Sequence, residues 1–372
     1  MKTARFQGLF FYISWVFLAG SCIMYILGQI STGNLLLAGF WVSLAIGVGK
    51  YVTLKQLSFT MLIFAAVTLS MTFPETFTHL GSFQLKSLIV PLLQVIMFGV
   101  GTAMSVGDFK GVLKMPKGVG VGLLCQFTIM PVVGFTIAHI FGFANEIAAG
   151  IILVGSSPSG LASNVMAHIA KANLALSITL TSVATVLAPL ATPFLMSQLG
   201  GEFVPVDVPA MMLGVVKMVI LPVGLGLVFN HFFHGKFLWL DKLMPKVSMA
   251  GIVFIIVIIT AAGRDSLINV GGLLILAMFI HMTCGYFLGY WGARLFRMPE
   301  NDCRTVAIEV GMQNGGLASG IAATMGKINT LGLAAAVNGP IMNITGSMLA
   351  TWWSKKTPKD TSEQSQTRLE TI

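Results

Sequence analysis

The chain has 372 residues, of which 55% are hydrophobic and only 9% are charged, and its formal net charge is +9. Soluble domains carry about 25% charged residues, so this composition, with a mean hydropathy of +0.87, excludes an ordinary soluble protein. The basic residues stand singly between apolar runs, which argues against a nucleic-acid partner and favours a protein embedded in the lipid bilayer. Nothing in the sequence indicates an obligatory protein partner.

Long apolar runs set the predicted architecture. They are close to twenty residues long and rich in Leu, Ile, Val and Ala, which predicts membrane-spanning helices rather than the alternating strands of a barrel. The first run is too long for the apolar part of a cleaved signal peptide, so it is interpreted as a helix. Twelve spans are predicted, in chain order: 9–28, 35–54, 58–77, 87–106, 118–142, 146–170, 174–199, 208–233, 246–263, 268–296, 302–325 and 329–353.

The distribution of basic residues predicts the orientation of these spans. With the N-terminus in the cytoplasm, eighteen of the 22 Lys and Arg residues fall in cytoplasmic segments, three (Lys86, Arg264 and Lys327) fall in outer segments, and Lys217 lies within a span. Cytoplasmic loops of multi-pass proteins show this enrichment. We therefore expect both termini in the cytoplasm, with a disordered polar tail at 354–372.

A short internal repeat divides the chain into two halves. The residues SGLAS at 159–163 are almost repeated as GGLAS at 315–319, and each copy follows a polar, helix-breaking cluster. The copies lie five spans apart, so the second enters the membrane from the opposite side, as in inverted-topology repeats. We expect two inverted five-helix repeats, at 58–199 and 208–353, and an additional helix pair within 1–57.

Polar residues gather where the two copies interrupt their spans. Pro158 lacks a backbone N–H, and its flanking glycines loosen the helix further, so carbonyls freed there need other partners. Glu309 lies deep in the span near 302–325, where a charge is costly and usually functional. One carboxylate among neutral oxygens suits a hard monovalent cation such as sodium, and the N-termini of half-helices attract anions.

The neutral polar residues allow a second interpretation, because hydroxyl and amide side chains also pack helices together in membranes. Ser177 and Thr181 share a helix face at i, i+4 spacing, as do Glu309 and Gln313. Taken singly, each hydroxyl or amide could be a packing contact, and the same holds for His281.

Three longer motifs, at 155–166, 175–185 and 308–318, together with Asn343–Ser347, resemble those of the bile acid:sodium symporter family, in its bacterial type. The resemblance covers roughly residues 58–353. It implies a core and a panel domain, two broken helices that cross in the core, and two sodium ions beside the crossing. It also implies import of an organic anion by alternating access across the plasma membrane, which in a bacterium is the inner membrane.

The resemblance assigns roles to particular residues. One implied sodium site uses Ser163, Asn164, Ser177, Thr181 and Glu309. The other uses Gln126, Glu309 and Gln313, with backbone carbonyls of Val310 and Met312. The implied substrate site contains Leu161, Asn314, Met342, Asn343 and Thr345.

Two positions in the substrate site depart from the family pattern. Leu161 replaces a small hydroxyl residue, and Met342 stands where some members have histidine. The implied substrate is therefore open between a bile acid and a smaller carboxylate such as pantoate or a pyruvate-like acid. Two alternatives also stay open: proton coupling or a channel on the same scaffold, and an intramembrane hydrolase with Ser159 or Ser163 as nucleophile and His281 as base.

Overall fold

The structure is a computed structural model that describes residues 2–51, 57–233 and 238–356. From residue 357 onward the predicted tail lies outside these residues. Beyond helices, the described part of the chain contains one hairpin of two-residue strands, β1 (His79–Leu80) and β2 (Phe83–Gln84). The helices are α1 (Lys2–Ile26), α2 (Ile30–Val48), α3 (Ser58–Thr72), α4 (Pro74–Thr78), α5 (Ile89–Ala103), α6 (Val106–Phe109), α7 (Gly111–Lys114), α8 (Pro116–Phe141), α9 (Asn145–Gly155), α10 (Ala162–Ile169), α11 (Leu174–Leu195), α12 (Val208–Val215), α13 (Leu221–Phe233), α14 (Leu238–Ala262), α15 (Arg264–Leu295), α16 (Glu300–Gly311), α17 (Gly315–Thr324) and α18 (Gly332–Ser354).

The helices have the length and composition that a bilayer requires. Within the described ranges, eight helical segments are apolar and long enough to cross a membrane, because each satisfies its backbone polar groups internally and offers apolar side chains to lipid. Single turns of π-helix extend α11 and join α12 to α13 into one long helix. The protein is an all-α, multi-pass membrane protein, as the sequence predicts.

The largest errors in the predicted boundaries are late starts at three spans. The span predicted at 9–28 is α1, which begins at Lys2, and the span predicted at 246–263 is α14, which begins at Leu238. The span predicted at 35–54 is α2, Ile30–Val48. Gly28 turns the chain with a φ of 76°, a left-handed conformation that glycine adopts at little cost, so α2 begins two residues later. The polar residues before Leu35 therefore lie in the first turns of α2 and not in a loop.

Two predicted spans are each broken into two short helices. The first consists of α9 and α10, and the second of α16 and α17. A glycine ends the first half of each: a Cβ on Gly155 would lie 2.5 Å from the Met130 carbonyl oxygen, and one on Gly311 would lie 2.1 Å from the Tyr286 ring. Neither position has room for a side chain, so the breaks are packed tightly against neighbouring helices.

The helices form two sets. In the flanking set, α5 packs against α13 and α14, and α14 packs against α3. In the central set, α8, α15 and α18 surround the two broken helices, and α11 packs against α8, α10 and α16. The N-terminal pair, α1 and α2, packs on α3 through α2, and so borders the flanking set.

Buried polar contacts tie the central set together at one end. The Arg304 guanidinium, 3% exposed, donates to Glu300 Oε1 at 2.9 Å and to the carbonyl oxygens of Ala170, Trp353 and Lys356 at 3.2, 3.3 and 3.1 Å. These carbonyls lie in or just after the last turns of α10 and α18, where backbone acceptors lack helical partners. One side chain on α16 therefore holds the ends of two other helices.

The other end of the central set has a matching contact. Glu146, in the first turn of α9, binds Lys327 and Thr330 in the loop between α17 and α18. Each broken helix is thus anchored at its start to the segment where the other one ends.

Candidate functional site

The two helix breaks contact each other directly. Ser159 and Gln313 form an isolated antiparallel bridge, in which Asn314 N donates to Pro158 O at 2.8 Å and Gly160 N donates to Met312 O at 3.3 Å. Backbone groups that lack helical partners are therefore partly satisfied by the opposite break. The Asn314 side chain caps α17 by accepting from Leu317 N at 3.0 Å.

Glu309 is buried beside this junction, 2% exposed, in the last turn of α16. Four hydroxyl groups lie within hydrogen-bond distance of its carboxylate. Ser163 and Ser177 donate to Oε1 at 2.6 and 2.5 Å, and Ser159 and Thr181 donate to Oε2 at 2.5 and 2.9 Å. Four hydroxyls at these distances can stabilise an ionised carboxylate by donating to it.

The hydroxyls come from three other segments. Ser159 and Ser163 belong to the first break and α10, and Ser177 and Thr181 lie one turn apart on α11. Asn164 completes the group, since its Oδ1 lies 2.8 Å from Ser177 Oγ and 3.3 Å from Thr181 Oγ1. The structure therefore brings together all five residues of the first predicted sodium site.

This cluster contains more acceptor positions than protons. Each hydroxyl has one proton, whereas an ionised carboxylate offers about four lone-pair positions and the Asn164 amide oxygen two more. Ser177 lies within reach of both acceptors and can donate to only one at a time. A bound cation is a natural partner for the remaining oxygen lone pairs.

The residues of the second predicted sodium site lie on the other side of the bridge. Gln126 Nε2, on α8, donates to Gln313 Oε1 at 2.9 Å and to Ser157 O at 3.0 Å, and Gln313 Nε2 donates to Val310 O at 2.6 Å. In the described structure, Gln126 Oε1 is buried without a hydrogen-bond partner. An orphaned acceptor is costly, and a cation there would satisfy it.

Glu309 connects to this second group along the chain rather than by a direct contact. Among the described residues, its hydrogen bonds go to the four hydroxyls, while Val310, next in sequence, supplies its carbonyl to the second group. The Met312 carbonyl accepts from Gly160, so it can offer only a remaining lone pair to an ion.

The predicted substrate residues flank the junction on its more open side. Leu161 is 36% exposed, and Asn314, Gly315 and Gly316 are partly exposed. On α18, Thr345 Oγ1 lies 3.2 Å from Tyr286 OH, and Met342 is 9% exposed beside the partly exposed Asn343. In the described part of the structure, no hydrogen bond links Met342, Asn343 or Thr345 to Leu161.

The donor set fits an alkali cation better than a resident divalent metal. In the described ranges, no three His, Cys, Asp or Glu side chains are grouped as a metal site, and Glu309 is accompanied by neutral oxygens. Calcium and zinc sites use more carboxylates, histidines or thiolates. Sodium would be cargo here, held by hydroxyl, amide and carbonyl oxygens around one carboxylate.

Sequence reasoning missed the role of Ser159 at this carboxylate and considered it only as a nucleophile. That alternative needs a base beside the serine, but His281 Nε2 instead lies 3.0 Å from Met130 O. Both candidate serines, Ser159 and Ser163, donate to Glu309. The signal that was available for Ser159 is its position directly after Pro158, in the unwound segment.

Comparisons with known proteins identify the family of the chain. Residues 90–270 match the Sodium Bile acid symporter family. YocS of Bacillus subtilis strain 168, described as an uncharacterized sodium-dependent transporter, is 36% identical over 302 residues, which cover 81% of this chain and 92% of YocS.

Two eukaryotic relatives match as well. The probable sodium/metabolite cotransporter BASS1 of Arabidopsis thaliana chloroplasts is 31% identical, over 72% of this chain and 67% of that protein. The ileal sodium/bile acid cotransporter of Oryctolagus cuniculus is 33% identical, over 67% of this chain and 73% of that protein. These relatives are transporters rather than enzymes, and the match to YocS extends over most of both chains. The chain therefore belongs to the Sodium Bile acid symporter family.

Proposed function

We propose that the protein is a sodium-coupled symporter that imports an organic anion. The observation that carries the proposal is the buried Glu309 carboxylate, which four hydroxyls surround where two broken helices meet. A charge at membrane depth is retained when it binds something. The names of the relatives supply the ion, because YocS and the ileal protein are both described as sodium-dependent or sodium cotransporters.

Two ions are proposed, one at each oxygen group. The first would be held by Ser163, Asn164, Ser177, Thr181 and Glu309. The second would be held by Gln126, Gln313 and the carbonyls of Val310 and Met312, with Glu309 supplying negative charge. The unpartnered Gln126 Oε1 supports the second ion, since an ion there would satisfy a buried acceptor.

The substrate would bind beside the same junction, at the N-termini of α10 and α17. The positive end of each helix dipole would attract an anion there. Leu161 and Asn314 would line this site on the breaks, and Met342, Asn343 and Thr345 on α18. The exposed apolar Leu161 side chain favours an anion with an apolar body, whether a bile acid or a small branched acid such as pantoate.

Ion and anion would be coupled through the bridge between the breaks. A cation among the hydroxyls draws α10, α11 and α16 to one point, which fixes the Ser159–Gln313 pairing. The same pairing sets where the N-terminal turns of α10 and α17 lie. Binding of sodium would therefore organise the anion site, and the anion would in turn raise sodium affinity, because such coupling is reciprocal.

Alternating access would move the central set against the flanking set. Arg304 and the contact between Glu146 and Lys327 tie the central helices at both ends, which supports movement of that set as one body. We further propose that the halves 58–199 and 208–353 are inverted repeats. From the distribution of basic residues we also propose that both termini lie in the cytoplasm. The membrane would be the plasma membrane, which in a bacterium is the inner membrane.

Purified protein in proteoliposomes tests this function. Radiolabelled pantoate, pyruvate and taurocholate are offered under an inward sodium gradient, under a potassium gradient of equal ionic strength, and under an inward proton gradient without sodium. In parallel, thermal unfolding is followed in sodium and in potassium. Stabilisation by sodium alone, with sodium-driven uptake, supports the proposal. Uptake driven by protons alone, or equal stabilisation by both cations, refutes it.

A further inference from the structure

Ser159 makes the shortest contact in the Glu309 cluster, together with Ser177. Its Oγ lies 2.5 Å from Glu309 Oε2 and 3.5 Å from Thr181 Oγ1. The residue is 2% exposed. We propose that the Ser159 hydroxyl is an additional sodium ligand at Glu309 and raises the affinity of that site. This inference rests on the proposed function.

The backbone holds Ser159 where its side chain must face the carboxylate. Pro158 precedes it and cannot continue a helix, and Ser159 itself pairs with Gln313 in the bridge between the breaks. On either side, Asn314 N bonds Pro158 O and Gly160 N bonds Met312 O. The hydroxyl is thus positioned by extended, paired backbone and not by a mobile loop.

The position of Ser159 differs from those of the other hydroxyls. Ser163, Ser177 and Thr181 lie on helices α10 and α11, whereas Ser159 lies on the unwound segment that contacts the second oxygen group through Gln313. Its side chain reaches the first group and its backbone adjoins the second. A ligand at Ser159 would make the affinity for the first ion depend on the pairing of the two breaks through the Ser159–Gln313 bridge.

A purely structural role would leave the hydroxyl as a donor that stabilises the carboxylate without sodium. Ser163, Ser177 and Thr181 already donate to Glu309. A fourth hydroxyl donor therefore adds less stabilisation to a carboxylate that already accepts three hydrogen bonds. As a ligand, in contrast, the Ser159 oxygen would add directly to the coordination of a hard cation, which favours oxygen.

Three variants of Ser159 separate these roles. Ser159→Ala removes the oxygen, Ser159→Cys keeps the volume and a weak S–H donor but replaces a hard ligand atom with a soft one, and Ser159→Thr keeps the hydroxyl. The matched control is Ser319→Ala. Ser319 is likewise 2% exposed and occupies the place of Ser163 in the second copy of the repeat, but its hydroxyl donates to Gly315 O at 2.8 Å.

The measurement is the sodium concentration that gives half-maximal thermal stabilisation of the purified full-length protein, with potassium keeping ionic strength constant. We expect Ser159→Ala and Ser159→Cys to raise this midpoint about tenfold, which corresponds to about 1.4 kcal/mol. Ser159→Thr and Ser319→Ala should keep the wild-type midpoint. If either Ser159→Ala or Ser159→Cys does not fold, the one that folds is used alone in the comparison.

Each outcome has a definite meaning. If both Ser159→Ala and Ser159→Cys keep the wild-type sodium midpoint, the hydroxyl is not a ligand, and the inference is overturned while the proposed function stands. The same holds if the variants only lower the unfolding temperature without sodium. If sodium does not stabilise the wild type, the proposed function itself fails.

Discussion

Replacing Glu309 with Gln tests the centre of the proposed site with almost no change in shape. The substitution removes the charge and keeps an oxygen. The serine hydroxyls around it can accept from the new amide as readily as they donate to the carboxylate, so the variant should fold. Its effect should fall on cation binding rather than on packing.

The size of the effect follows from the distances. The hydroxyls lie 2.5–2.9 Å from the carboxylate oxygens, so a cation held by the same hydroxyls sits within about 4 Å of the negative charge. At an effective dielectric constant of ~20, that attraction is about 4 kcal/mol. Since each 1.4 kcal/mol is tenfold in affinity, we expect a loss of roughly three orders of magnitude.

The assay is sodium-dependent thermal stabilisation of the purified protein, followed by uptake in proteoliposomes. Glu309→Gln should show no stabilisation at sodium concentrations that saturate the wild type, and no sodium-driven uptake. Glu202→Gln is the matched control, because it makes the same chemical change at a side chain that is 60% exposed. If Glu309→Gln kept the wild-type sodium midpoint, the assignment of Glu309 would be refuted.

Three further substitutions test the parts around this centre. Gln126→Leu removes the amide that donates to Gln313 and whose own oxygen has no hydrogen-bond partner; it should lower the Hill coefficient of sodium-dependent uptake from about two to about one, and an unchanged coefficient would argue against a second ion. Arg304→Met removes the buried donors to Glu300 and to three carbonyls near the ends of α10 and α18, and should lower the unfolding temperature far more than Arg294→Met, whose side chain is 38% exposed; equal effects in calorimetry would contradict the role of Arg304 as a tie. Leu161→Thr should change the ratio of taurocholate to pantoate uptake without moving the sodium midpoint, and an unaltered ratio would exclude Leu161 from the substrate site.

The sequence predicts the membrane class and the two broken helices because those features follow from local composition. Apolar runs near twenty residues require helices. Pro158 with its flanking glycines, and the polar cluster before Gly315, mark the places where a helix stops. Glu309 stands out because an isolated carboxylate in such a run is costly. These signals need no knowledge of which helices pack together.

The sequence cannot predict contacts that depend on tertiary geometry. Arg304 reads as one more basic residue at a helix end, and only the fold brings it to the carbonyls at the C-terminal ends of α10 and α18. Ser159 likewise reads as a turn residue, because its distance to Glu309 depends on the bridge between two breaks far apart in the chain. The start of α2 was missed because polar residues in a first turn resemble a loop.

The arrangement of the oxygens explains why ion and substrate sites should act together. No single helix carries the first oxygen group: the carboxylate comes from α16, and the hydroxyls come from the first break, α10 and α11. A cation held by this proposed site would therefore be fully coordinated only when the two breaks are paired as in this structure. An anion at the N-terminal turns of α10 and α17 has the same requirement, since those turns begin where the bridge ends. Ion and anion then each favour one register of the breaks, and such differential binding is what couples two sites thermodynamically.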